Sequence, residues 1–416
     1  MIFFVTSRNN SIKLFLRRTL VLQQFYAAIK SNTLLIFITF SFCIFSNNIF
    51  SQDSALIHYL VQRIADQQIK QDNFFLTEIF PSYISNKEKF SSRKKDNNIF
   101  FSGLIIYTLK NIQKNLSKKD QLIIDTIFLR SKPLFAKFKN RKGRETYNFW
   151  RTDSAYNFPY TNWIRLIKKN TALPDDMDDT VFSLFALSAS DSVAEQVHQL
   201  MQYYVNSDSS KVRIENSAYK NFQAYSTWFG KNFPVVFDIC VMSNILSFVQ
   251  SYNLNWAKAD SASLQFILQV IQTKDYIKNP LLVSPYYGKT SIILYHLSRL
   301  MSIKNIPKLE QIKPYLIADA VNEFNQSKNI LEKIILCSSI IKFGYNSPLI
   351  SVPSINQIKN EIEGNDFSFF IGNIPSYLSN TEKTILLEKN FGLFYHYCPA
   401  YNDALLLEYL VLKNMN

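Results

Sequence analysis

The sequence predicts an all-α protein built of paired helices, and three observations carry that expectation. Its 416 residues are 47% hydrophobic and 15% aromatic, enough to bury a large core. Only 8 glycines and 13 prolines interrupt them, which disfavours turn-rich β architectures. Five prolines, Pro174, Pro234, Pro285, Pro348 and Pro399, stand ahead of apolar runs at intervals of 60, 51, 63 and 51 residues. Two helices of about 20 residues with two loops need a period of that size. Alternating hairpins of this kind would close into a double ring, with the proline loops around one mouth.

The first 52 residues read as a signal peptide or an N-terminal membrane anchor. Five Lys/Arg and no Asp/Glu precede the end of the apolar run Leu34–Ser46, which is short for a span of about 20 residues. Cleavage is expected near Ser51 and Gln52, and bulky Phe42 before Cys43 argues against a lipobox. The chain from 53 to 416 is expected to form one domain carrying a net +9. Its basic residues are scattered, without a stripe of interleaved aromatics, which argues against nucleic acid. Export points to a periplasmic or envelope location, with a lipid, glycan or envelope protein as partner. The membrane would be met only through the N-terminal segment or a lipid ligand. Cys240, Cys337 and Cys398 show neither metal spacing nor a pairing pattern.

From Asp53 the chain reads as successive helices. Asp53–Gln71 is the first, and 86–97 is a lysine-rich loop. Phe100–Leu116 and Gln121–Phe138 form a pair around the polar turn Ser117–Asp120. Tyr147–Trp150 is an aromatic segment between polar flanks. Each later interval holds a second helical run: Ser192–Val205, Ala257–Ile271, Ile306–Phe324 and Asn356–Glu361. Proline in a first turn starts a helix without wasting a donor, because its missing N–H would be an orphan there.

Leu173-Pro174-Asp175-Asp176-Met177-Asp178-Asp179-Thr180 is the feature with chemical content. Four carboxylates in five positions repel, and a helix N-terminus offsets only part of that. Capping accounts for one or two of them. Helical spacing predicts Asp175, Asp178 and Asp179 on one face. No glycine-bearing EF-hand loop surrounds them, so neither a metal nor another cofactor is expected. Asp238, in an apolar stretch, is read either as the cap of the helix that follows or as a pocket residue beside Asn244. The four histidines are too far apart in sequence to suggest ligand pairs, and no phosphate-cradling loop or nucleophile elbow is present.

Asp176-Met177-Asp178-Asp179-Thr180 resembles the Asp-x-Asp-Asp-Thr signature of class II terpene cyclases. These belong to the terpenoid cyclase and prenyltransferase–squalene oxidase repeat superfamily. The resemblance extends from about Tyr147 to Leu412 and implies an α/α toroid of about six helical hairpins. It also implies that Asp178 is a general acid protonating a polyene, tuned by Asp176 and Asp179. Aromatic rings would then stabilise the cation, with Trp150, Trp163, Trp228, Phe237, Tyr286 and Tyr287 as candidates. Asp175, Trp150, Trp228, Asp238, Asn244, Tyr286 and Tyr287 are thus the expected pocket residues. The chain supplies a single toroid and lacks the repeated Gln-x-x-x-Gly-x-Trp segments of triterpene cyclases, so two readings stand beside each other. One is an envelope toroid binding a lipid, glycan or protein at an acidic pocket, and the other is a cyclase-like isomerase. A glycan-processing toroid would need a second carboxylate, for which Asp238 is the candidate.

Overall fold

The computed structural model describes residues 53–415 apart from 89–92, 154–172, 215, 232 and 379. The expected signal segment and Trp163 lie outside the described residues. The chain divides after Leu56. Of its first unit only the helical residues 53–56 are described, and everything below concerns the second, Ile57–Asn416.

The protein is mostly helical. Its opening helical stretch, 57–67, is α1, followed by strands β1 (Ser82–Ser85) and β2 (Lys94–Asp96). Then come α2 (Phe100–Ile112), α3 (Lys118–Ser131), α4 (Met177–Leu187), α5 (Asp191–Met201), α6 (Ile239–Ser251) and α7 (Lys258–Thr273). Two short helices, α8 (Asp275–Lys278) and α9 (Pro280–Val283), precede α10 (Thr290–Ile303). After α11 (Pro307–Glu310), α12 (Lys313–Gln326) and α13 (Ile330–Lys342), the chain alternates: β3 (Phe370–Asn373), α14 (Asn380–Glu388), β4 (Leu393–Tyr397) and α15 (Pro399–Lys413).

Six helices are apolar nearly all round and are buried on almost every face: α2, α4, α6, α10, α13 and α15. A helix without a polar face belongs in the interior. They pack in succession, α2 on α4, α4 on α6, α6 on α10, α10 on α13, α13 on α15, and α15 on α2. Outside them, α3 lies on α2, α7 on α6, and α12 on both α10 and α13, each burying a single stripe. Lys110, near the end of α2, donates to the Phe185 and Ala186 carbonyls at 2.9 and 2.7 Å, so α2 and α4 end together. A cation there also meets the negative end of the α4 dipole.

α2 and α4 approach closely at Gly103 of α2, where a Cβ would stand 3.0 Å from Phe182 Cβ of α4. Gly103→Leu should therefore force the two helices apart and cost about 1–3 kcal/mol, read from urea denaturation.

The second helical runs expected from Ser192, Ala257 and Ile306 are present, α4, α6 and α10 begin behind Pro174, Pro234 and Pro285, and α15 begins at Pro399. Pro348 is different. No α-helix begins just after it; the apolar helix nearby is α13, which precedes it, ending at Lys342 and starting behind Asn329, whose side chain accepts from the Leu331 and Glu332 N–H groups. After Pro348 the chain is irregular until a 3-10 turn, Ile355–Gln357, and a short π-type turn, Lys359–Glu363, which stand where the run Asn356–Glu361 was expected. A second departure is the antiparallel sheet, ordered β2-β1-β4-β3. The lysine-rich loop ends in its strand β2, and His396 lies opposite Ile84 on one side and Phe370 on the other. One face buries Ile371, Leu393, Tyr395 and Tyr397, with Leu281 and Leu387 packed against it.

Candidate functional site

The aspartate run enters α4 between two extended segments. Asp176 N–H donates to the Tyr147 carbonyl at 3.0 Å, Met177 N–H to Thr227 at 2.9 Å, and Phe229 N–H to the Asp175 carbonyl at 2.9 Å. With its backbone held, Asp176 is the N-cap, and its Oδ1 accepts from the Asp178 and Asp179 N–H groups at 2.6 and 3.2 Å. Thr180 closes the turn by donating to the Asp176 carbonyl while accepting from Tyr147 N–H.

Because α4 begins at Met177, Asp175 lies before the cap and does not share a helix face with Asp178 and Asp179. Its Oδ2 accepts from Asn140 and the Thr146 hydroxyl and stands 3.9 Å from Arg144, so it tethers the loop after α3.

Asp178 points among the six helices. Asn244 of α6 donates to its Oδ1 at 2.9 Å, and the Tyr287 hydroxyl, from the loop before α10, donates to Oδ2. Asn244 in turn accepts from Arg299 of α10 at 3.2 Å. Arg299 is buried within reach of three rings, Tyr107, Phe182 and Tyr295, at 5.0–5.2 Å. Further along, the Tyr295 hydroxyl donates to Glu408 at 2.6 Å, and Lys342 pairs with Glu408 at 2.8 Å. Asp178 thus stands at a helix start and Lys342 at a helix end, each sign opposite to the local dipole, whereas Glu408, in the second half of α15, is held by Tyr295 and Lys342.

Burial raises the Asp178 pKa to about 6, although the bonds from Tyr287 and Asn244 and the charge of Arg299 oppose the shift. Asp176 is pushed well above the usual carboxylate range by burial and by Asp178, and Asp179 by burial and by Asp176. Among the described residues Asp179 Oδ1 is buried without a partner, which favours a retained proton.

Asp238 caps α6, accepting from Cys240 N–H at 2.8 Å. It also holds the loop before α10, through the Ser284 hydroxyl at 2.7 Å and Tyr286 N–H at 3.0 Å. Burial lifts its pKa to about 7 against those bonds. Trp228 donates to the Tyr286 hydroxyl at 3.1 Å.

The structure therefore brings Asp178, Asn244 and Tyr287 together, with Asp238, Tyr286 and Trp228 beside them. No protein-family model, curated protein or solved structure matches the chain.

Two expected aromatic residues lie elsewhere. Trp150 donates to Asp96 at 3.1 Å, at the sheet, and Phe237 packs on Phe266 of α7. Arg299 and Glu408 were not anticipated, although each is a charge inside an otherwise apolar run, Ile292–Met301 and Ala404–Val411. Among the described residues no group of His, Cys, Asp or Glu is arranged to hold a metal, and no helix is long and apolar enough to cross a membrane. Cys240, Cys337 and Cys398 are buried free thiols.

A cavity of about 170 Å³ opens beside the loop that Asp238 holds. It is lined by Pro280, Leu281 and Leu282 of α9, Pro285, the β3–α14 segment and Leu387.

Proposed function

We propose that the chain is an exported α/α toroid of six helical hairpins that binds a lipid, glycan or protein of the cell envelope at the end where α4, α6 and α10 begin. In this reading the buried aspartates build the mouth and perform no chemistry. The observation that carries it is that both Asp178 oxygens accept hydrogen bonds from protein donors. Such bonds favour the ionised form and occupy the atoms that a general acid must present. The cyclic packing of the six apolar helices supports the toroid, and the cavity beside the Asp238-held loop supplies a place for a ligand.

Native mass spectrometry of protein purified from its own envelope tests this. A bound mass retained equally by Asp178→Asn is the expected result. A second reading, a class II cyclase-like isomerase with Asp178 as acid, draws on Tyr287 against that carboxylate and on its raised pKa. Product from a polyene with the wild type, lost in Asp178→Asn, would replace the binding reading with this one.

A further inference from the structure

We infer that the cavity between α9, the β3–α14 segment and α14 is the seat of a single alkyl chain, which makes an amphiphile's tail the group that this protein recognises; this deepens the binding reading and rests on it. Five of its nine lining residues are leucine or proline: Pro280, Leu281, Leu282, Pro285 and Leu387. The three leucines are only half-buried, so an apolar guest would finish covering them.

The polar lining asks little of a ligand. Asn373 donates to the Pro285 carbonyl at 3.1 Å and accepts from Ser376 N–H at 3.1 Å. Ser376 donates to the Asn373 carbonyl at 2.6 Å, and Lys383 donates to the Arg213 carbonyl at 2.7 Å. A wall whose amide and hydroxyl already have partners selects by shape and apolar contact, which disfavours a sugar with its many hydroxyls.

Volume sets the size of the guest. A dry cavity of about 150 Å³ lined by apolar side chains is known to accept benzene, so 170 Å³ takes about six carbons. The head group and any remaining chain would then lie outside, near exposed Asn279.

The seat is also held in place. Gly288 has φ +49°, and a Cβ there would stand 2.8 Å from the Leu281 methyl. The loop is tied to Asp238 through Ser284 and Tyr286, and β3 to it by Ile371 N–H donating to the Tyr286 carbonyl at 2.7 Å.

The test is calorimetric titration of the full chain with straight-chain alcohols from butanol to octanol and with octanoate. Binding should strengthen roughly three- to fourfold per methylene up to about six carbons and then level off. Octanol and octanoate should both bind. Leu282→Trp and Leu387→Trp, which fill the cavity from its half-buried sides, should each weaken octanol at least tenfold while unfolding as cooperatively as the wild type. A brominated octanoate should quench Trp228, whose ring touches Tyr286 and Tyr377 at 5.8 and 6.0 Å beside the lining, and Trp228→Phe should abolish that quenching.

Affinity independent of chain length, or retained by both filled variants, overturns the inference. If the envelope-purified protein still carries a bound mass in that case, the binding reading survives without it. No retained mass and no binding of any alcohol would remove the binding reading and the inference with it.

Discussion

Replacing Asp178 with Asn should make the protein about 2 kcal/mol more stable, relative to wild type, at pH 8 than at pH 4. The sign follows from linkage. Asp178 has a folded pKa of about 6 against an ordinary value of 3.8, so the folded state holds its proton more tightly than the unfolded chain. Between those values the native state binds more protons, and wild-type stability falls as pH rises. Its contribution is fully present below about pH 4 and lost as pH passes through 6. A shift of about two units corresponds to about 3 kcal/mol in full, and most of that develops between pH 4 and pH 8. Asn carries no charge at any of these pH values, yet keeps a carbonyl for Asn244 and an amide that the Tyr287 oxygen can accept from. Urea denaturation of both proteins at pH 4, 6 and 8 measures the difference. Parallel pH profiles would mean that Asp178 is ionised throughout this range, and with it the argument from burial would fail.

Asp238→Ala should be the most damaging single change at the site, costing about 3–8 kcal/mol at pH 5. That pH is chosen because the Asp238 carboxyl, at about 7, retains its proton there and no relief of carboxylate repulsion offsets the loss. The substitution removes the α6 cap, worth about 1–2 kcal/mol. It also strands the buried Tyr286 N–H and Ser284 hydroxyl, at about 1–3 kcal/mol each when no partner replaces the carboxylate. Asp238→Asn keeps one acceptor oxygen for Cys240 and Ser284 but turns an N–H₂ toward Tyr286 N–H, so an intermediate loss is expected. Against a typical stability of 5–15 kcal/mol, the alanine variant should show a clear fall in denaturation midpoint. If the loss did not exceed that of an ordinary helix cap, Asp238 would not be the tie between α6 and the loop before α10.

The particular residues show how much was legible beforehand. Helical periodicity located the paired helices, because an apolar run near 3.6-residue spacing needs no partner to be recognised. The proline starts were readable at Pro399, where the ring sits in the first turn, and misleading at Pro348, where the same residue follows a helix instead of leading one. Asp238 was readable as a cap from its place before an apolar run. Its second task, holding Ser284 and Tyr286 from 46 and 48 residues away, has no local signal. The sheet escaped notice because its strands are three to five residues long, too short for an alternating pattern to be distinguished from a loop.

The sequence by itself determined that the protein is mostly helical and that a helix begins within the aspartate run, capped by one of its first two carboxylates. These follow from local chemistry: side-chain periodicity, an N-cap acceptor and a proline that costs no donor. Only the tertiary structure decided what each carboxylate does. Asp175 turns out to a loop, Asp176 is consumed by backbone donors, Asp178 reaches Asn244 and Tyr287 on other elements, and Asp179 is left buried with no partner for Oδ1 among the described residues. Four identical side chains in five positions differ only through the donors, charges and water that long-range packing brings to or removes from each. That environment sets both their hydrogen bonds and their protons.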